Sequence, residues 1–527
     1  MPNTKYIVVS GGVLSGLGKG IVSASIGRLL RGYKVIPIKC DGYLNIDPGT
    51  MNPYEHGEVF VQDDGGEVDM DFGHYERFMG IKTKFKWNIT SGKIFKSVID
   101  KEREGKFLGQ TVQIIPHVTN EIKERIRTIA EEEKAEIVIL EIGGTAGDLE
   151  NRFFFEAIRQ MKLEMENMIF IHLTYVPFLK SVGEHKTKPT QQSATIMMQM
   201  GLQPDIIIAR SRTLLNNKNK EKIALFCNVS KDSVISNYDT TNVYEMPIIF
   251  KKQNLDLLLR NKLRLIHDEE LIEWEKLIDN INNPEKEIKI AICGKYTDLK
   301  DSYVSVTEAL RHAGAHLKTK IKLQWIESFN LEELKDIDGI IVPGGFGSRG
   351  SESKIKAVRF AREKKIPYLG LCLGMQMAVI DFARHVCKLK EANSTEFIEK
   401  PKHPVVCLLP GQRKIYKKGG TMRLGGQDVF IKPKTQTENI FGQKNIRRRF
   451  RHRYEVNPKY VPLLERHGLI FSGSSRDGKI KQIIELKDHP FFMASQFHPE
   501  FHSSLEKPDE MFFNFVKSCK ENELSKY

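Results

Sequence analysis

Short apolar runs alternate with amphipathic stretches along most of the chain, the pattern of a parallel sheet covered by helices. The predicted class is α/β. In the first half the runs predict strands at 6–10, 35–40, 136–141, 169–174, 205–209 and 233–235. Several end in glycine or polar residues, where ligands bind in such sheets. From His267 to Glu287 the sequence becomes charged and turn-rich, which suits a short exposed helix and a linker. Beyond it the alternation restarts, with strands at 288–293, 321–326, 339–342 and 367–372 and helices at 304–313, 355–362 and 374–384. The expected organisation is a first α/β domain over 1–266, a linker over 267–287 and a second α/β domain over 288–527.

With 40% hydrophobic and 28% charged residues among 527, the chain sits near the globular average, away from disordered, collagenous and membrane classes. No apolar run approaches the roughly 20 residues that span a bilayer, and the apolar stretch at the start is too short for a signal sequence. A cytoplasmic location is expected. The net charge of +14 favours anionic partners of some kind: nucleotide, polynucleotide or acidic surface. The basic run Lys444 to Arg453 (KNIRRRFRHR) reads as a solvated or interdomain face ahead of a nucleic-acid patch. Seven cysteines (40, 227, 293, 372, 387, 407, 519) without a CxxC pair argue against a disulfide framework and a zinc site, and leave room for a nucleophile.

Two stretches carry candidate chemistry in the first half. SGGVLSGLGKGI, from Ser10 to Ile21, follows a predicted strand and opens a helix, the layout in which backbone N–H groups and a helix N-terminus hold a triphosphate. It departs from GxxxxGK[ST], with Val13 at the first glycine position and Gly20 after Lys19. The metal hydroxyl is thus missing, and carboxylates from elsewhere would have to take over. Asp71 (in VDMDFGHYER) and Glu141 (at a strand end before GGTAGD) are the candidates, a salt bridge to a neighbouring lysine being the alternative for Glu141. In GEHKTKPTQQ, Lys186 and Lys188 would project the same way if the segment is extended. They could grip a second polyphosphate, with Lys222 as a third cation, or simply be surface.

In the second half PYLGLCLGMQ runs from an apolar strand into G-x-C-x-G and a helix, the thiol form of a nucleophile elbow. The Cys372 thiol would sit at a helix N-terminus, and the Leu373 amide would point where an oxyanion forms. PGGF, with Gly345, offers a second donor. QFHPEF supplies a base and an orienting acid, His498 and Glu500, so that the predicted reaction class is acyl transfer through a thioester.

These motifs resemble one family. GLCLGMQ, VPGGF and QFHPEF resemble a class I glutamine amidotransferase, and SGGVLSGLGKGI, DMDFGHYER, EIGGTAGD and HKTKPTQ resemble the amidoligase domain of CTP synthase. The resemblance implies that ATP phosphorylates O4 of UTP and that ammonia, released from L-glutamine and kept inside the protein, displaces the phosphate to give CTP. It implies ATP contacts at Gly16, Leu17, Gly18, Lys19, Gly20, Ile21 and Asp71, adenine contacts at Tyr238, Asp239 and Thr240, and Mg2+ ligation by Asp71 and Glu141. UTP contacts are implied at Ser15, Lys186, Thr187, Lys188, Pro189, Thr190, Gln191 and Lys222, with Asp148, Leu149 and Glu150 used by inhibitory CTP. Lys39 would lie near the transferred phosphate. The triad would be Cys372, His498 and Glu500, with glutamine held by Gly345, Leu373, Gly374, Met375, Gln376, Glu396 and Arg453. GTP activation and a homotetramer with UTP sites between subunits are also implied. Gly16, Gly42 and Ala146 replace residues commoner in the family, and the stretch from Leu409 to Gly420, a lid region near the glutaminase, is short. A ParA-like ATPase fused to an amidotransferase-like module is the competing reading. It leaves HKTKPTQ and the triad without a role, so nucleic acid is not expected as a partner.

Overall fold

The computed structural model describes residues 4–51, 57–294, 300–327, 334, 336–409 and 422–524. Residues 410–420 of the expected short lid lie outside them. The chain divides into two compact units, one formed by Met1–Pro48 with His74–Ile272, the other by Gly49–Gly73 with Glu273–Tyr527.

The first unit is built on a seven-stranded sheet. Its order is Val234–Tyr238, Ile206–Ser211, Met168–Val176, Lys5–Gly11, Ile137–Ile142, Val35–Asp41, Asn88–Thr90. All neighbours are parallel. Burial on both faces explains the uninterrupted apolar runs: every residue of Ile137–Ile142 is buried. The edge strand Asn88–Thr90 (NIT) had no counterpart in the pattern, because three residues with two polar side chains carry no periodicity to read. Parallel pairing puts the strand ends Gly11, Ile142, Val176, Ser211 and Tyr238 on one edge.

The second unit carries a nine-stranded mixed sheet among the described residues. Thr319–Ile326, Lys286–Cys293, Gly339–Val342, Tyr368–Leu371 and Phe492–Ser495 pair in parallel. The sheet continues antiparallel through Lys481–Glu485, Ile470–Ser474, Arg423–Ile431 and Asn445–His452. The last strand carries the basic run, read as a solvated or interdomain face, and corrects the solvated part of that reading, since it is a sheet strand in which Arg447, Arg448 and Arg451 meet acids. Arg448 Nη2 lies 2.6 Å from Glu510 Oε2, and Arg449 is 1% exposed. Arg447 and Arg451 reach Asp63 and Glu67 at 2.9 and 2.7 Å, in a segment 384 residues earlier in the chain. No helix among the described residues is long and apolar enough to cross a membrane.

Candidate functional site

In the first unit, the strand Lys5–Gly11 ends in a loop that feeds the helix Lys19–Leu29. Val13, Gly16 and Gly18 take φ of +78°, +75° and +87°. For the glycines this conformation is free, whereas for β-branched Val13 it costs roughly 1–2 kcal/mol. Ser15 and Gly16 are exposed, Leu17 and Gly20 are buried, and Ile21 is half-buried on the opening turn. Lys19 Nζ donates to the Gly144 carbonyl at 2.8 Å, so the lysine crosses to the loop that follows Ile142.

Glu141 is 1% exposed, and its Oε2 accepts from Ser23 Oγ and Tyr75 Oη, each at 2.7 Å. Lys39 stands opposite it in register, its Nζ 3.7 Å from Asp41 Oδ1. Asp71 opens the helix Asp71–Met79 and donates its N–H to Asp69 Oδ1. Asp148 Oδ2 accepts from Thr145 N, and Leu149 and Glu150 are exposed. Tyr238 ends its strand, Asp239 pairs with Arg210 at 2.8 Å, and Thr240 Oγ1 donates to Glu245. Lys222 is exposed on the helix Asn217–Cys227. The extended segment expected for the lysine pair is not formed: the strand Glu184–His185 stops before Lys186, and Thr187, between the two lysines, is already helical at φ −84°, ψ −5°. A helix starts at Lys188 with Pro189 in its first turn, a position that suits proline's fixed φ and missing N–H. Lys186 pairs with Glu184, Gln191 donates to Thr187, and Thr190 bonds to Thr174.

The sequence reading missed His172, a single polar ring inside an apolar strand. Its Nδ1 is 2.9 Å from Ser10 Oγ and its Nε2 2.7 Å from Ser193 Oγ, which links the end of the first strand to the helix of HKTKPTQ. Burial, with the nearby Lys19 charge, pushes it down to about 3, so the ring is neutral. The isolated histidine in IFIHLTYV was the available signal.

No cluster of three or more His, Cys, Asp or Glu suited to a metal occurs among the described residues. Magnesium keeps several waters and binds through one or two carboxylates plus substrate phosphates. Glu141, a hard oxygen donor already oriented by two hydroxyls, fits that requirement.

The second unit contains a cavity of about 420 Å³ lined by Cys372, His498, Glu500, Gly345, Phe346, Arg451 and Arg453, with Gly49, Met51, Glu58 and Val59 from the early segment. Cys372 lies between the strand Tyr368–Leu371 and the helix Leu373–His385 at φ +51°, ψ −95°. That region is sparsely populated for any residue with a side chain and marks a sharp, strained turn. The turn needs Gly374, where an added Cβ would lie 2.1 Å from the Val342 carbonyl oxygen. The thiol donates to the Arg451 carbonyl at 3.7 Å, and Gln496 Nε2 donates to the thiol at 3.5 Å. His498 Nδ1 is 2.7 Å from Glu500 Oε1, while its buried Nε2 makes no hydrogen bond. Burial opposes charge on the imidazole, but Glu500 and then Cys372 outweigh it and raise His498 to about 10. Leu373, Met375 and Gln376 are buried in the helix's first turn, with Gln376 Nε2 donating to the Tyr454 carbonyl at 3.0 Å. Glu396 does not line the cavity, but it accepts from Gly347 N at 2.7 Å and so holds the loop after Gly345. Nothing in the local pattern announced Glu58 or Met51 at this cavity, and Gln496, though part of QFHPEF, was given no role there.

Fold and cavity together define a class: an α/β unit joined to a glutamine amidotransferase. The CTP synthase N-terminus family matches residues 5–265, and the class-I glutamine amidotransferase family matches residues 298–519. A CTP synthase of Borreliella afzelii is 53% identical over 98% of this chain and 99% of its own length. One of Sulfolobus acidocaldarius is 54% identical over 97% and 99%. A solved glutaminase domain of the Trypanosoma brucei CTPS, with bound acivicin, is 35% identical over 44% of this chain and 94% of its own, at a TM-score of 0.42. The chain belongs to the CTP synthase family, whose members are glutamine-hydrolysing carbon–nitrogen ligases.

Proposed function

We propose that the chain converts UTP to CTP through a phosphorylated O4, with nitrogen released from glutamine by Cys372, His498 and Glu500. The supporting observation is that all three side chains open on one cavity in which Glu500 meets the imidazole at 2.7 Å. In this reading Cys372 attacks the amide carbon of glutamine as its proton passes to His498, which gives that proton to the amide nitrogen so that ammonia leaves and a thioester remains. His498 then takes a proton from water attacking the thioester, and glutamate leaves as the thiol is restored. The Leu373 and Gly345 amides hold the oxyanion. Arg453, on the cavity wall, binds the amino-acid end of the substrate, and Glu396 supports that end through the loop after Gly345 that it holds. Neutral ammonia is a minor species in neutral water, so its internal transfer preserves the nucleophile.

In the first unit the loop Gly16 to Ile21 cradles the ATP phosphates and Lys19 follows the transferring group, with Lys39 beside it. By the family resemblance Glu141 of this unit and Asp71 of the Gly49–Gly73 segment would hold Mg2+, which supplies charge neutralisation on the phosphoryl oxygens. Tyr238 to Thr240 contact adenine, Ser15 with Lys186 to Gln191 and Lys222 contact UTP, and Asp148 to Glu150 serve CTP inhibition. GTP activation, a homotetramer and a cytoplasmic setting complete the proposal.

The test is CTP formation, followed by its ultraviolet shift, with ATP, UTP, magnesium and either glutamine or ammonia. Cys372→Ala should lose the glutamine-dependent rate and keep the ammonia-dependent one. Lys19→Ala should lose both. Loss of both rates in the cysteine variant would refute separate sites, and ammonia-driven turnover in the lysine variant would refute the phosphate-loop assignment.

A further inference from the structure

The hairpin formed by Phe60–Val61 and Glu67–Val68 pairs Val61 with Glu67 and belongs to the second unit, far from its neighbours there in sequence. It meets the strand Asn445–His452 at alternate arginines, Arg447 on Asp63 in the turn and, next to the site, the pair Arg449 and Arg451. Arg451 Nε donates to Glu67 Oε1 at 2.7 Å, and the carbonyl of the same Arg451 accepts from the Cys372 thiol. Arg449 Nη1 donates to the carbonyls of Val61 at 3.2 Å and Phe501 at 3.3 Å, and its own carbonyl accepts the His498 N–H at 2.8 Å. The Phe60 ring stands edge-on to Phe501, 5.1 Å between centroids, and Phe501 in turn stacks on the His498 imidazole at 5.2 Å.

Each arginine of that pair thus holds the hairpin with its side chain and the thiol or the histidine with its backbone. Glu67 is 3% exposed, so its pair with Arg451 is shielded from solvent, and removing one partner leaves the other charge buried and uncompensated. We propose that Glu67 and Phe60 are positioning residues for the glutamine chemistry. In this role the hairpin sets the distance and angle between Cys372 and His498 through Arg451, Arg449 and Phe501, without touching substrate. The proposal rests on the reading that Cys372 and His498 perform that chemistry.

Glutamate release, glutamine-dependent and ammonia-dependent CTP formation, and the pH profile of Cys372 alkylation by iodoacetamide would be measured on the full chain for Glu67→Gln and Phe60→Leu. Misplacement of reacting groups by a fraction of an ångström predicts glutamate release reduced roughly ten- to hundred-fold in kcat, with a displaced alkylation profile and an unchanged ammonia-dependent rate. Normal glutamate release with lost CTP formation would assign the hairpin to ammonia transfer and overturn the proposal. Equal loss of the ammonia-dependent rate, or no loss at all, would overturn it as well. Should Glu67→Gln fail to fold, Phe60→Leu, which removes only ring contact, decides alone. Cys372→Ala run alongside separates the two ideas: if it still hydrolyses glutamine the underlying reading fails, and if only the hairpin variants are unaffected the positioning role fails.

Discussion

Single residues here act through conformations and protonation states that their neighbours impose. Cys372 stands at a strained turn because a strand, a close-packed glycine and a helix start force it to φ +51°. The motif G-x-C-x-G announced that turn, and the residues needed for a base and an acid were visible in QFHPEF. The carboxylate that raises His498 is legible two residues away, whereas the burial that opposes the rise and the Cys372 thiol that adds to it are not. His172 makes the same point in the opposite direction. Its folded value of about 3 lies below the ordinary 6.5, so the stability it contributes is complete above 6.5 and is lost as the pH falls from there toward 3. The thermal midpoint of the first unit's transition should therefore fall more steeply across that window in the wild type than in His172→Gln. Parallel profiles would mean that the Ser10–His172–Ser193 bracket imposes no protonation cost.

Among elements, those with uninterrupted apolar runs were legible, because a strand buried on both faces has no other way to be written. The helix of HKTKPTQ was not. Two lysines flanking a threonine before a proline suit an extended segment as well as a helix start, and only the packing of Thr190 and Ser193 against the strand Met168–Val176 selects the helix. The helix Leu373–His385 shows how an element is placed by one missing side chain. A Cβ at Gly374 would overlap the Val342 carbonyl oxygen at 2.1 Å, a backbone atom with little freedom to yield. Gly374→Ala should destabilise the second unit by about 1–3 kcal/mol in denaturant unfolding and remove glutamine-dependent synthesis. Retained stability would show that the helix can slide away from the strand Gly339–Val342.

At the scale of the whole molecule, sequence order and spatial grouping part company. Gly49–Gly73 is flanked by first-unit sequence yet groups with the second unit, where Phe60 and Phe501, Arg451 and Glu67, and Arg447 and Asp63 meet. A fragment covering residues 288–527 lacks those partners and leaves Arg449 and Arg451 facing solvent or one another. Its thermal midpoint should lie below that of the same unit in the full chain, and adding a peptide of residues 57–70 should raise it. An unchanged midpoint would show that the early segment adds nothing to the unit's stability. The sequence by itself determined the α/β class, the phosphate-type loop, the thiol elbow and its base and acid, because each is local: a few adjacent residues whose spacing dictates a turn, a face or a charge. Tertiary structure alone decided that the basic run is a paired sheet strand, that His172 is a neutral bracket, and that an early hairpin supports a late thiol. Those outcomes depend on contacts between residues hundreds of positions apart, and no local periodicity records which distant surface a charged or polar strand will meet.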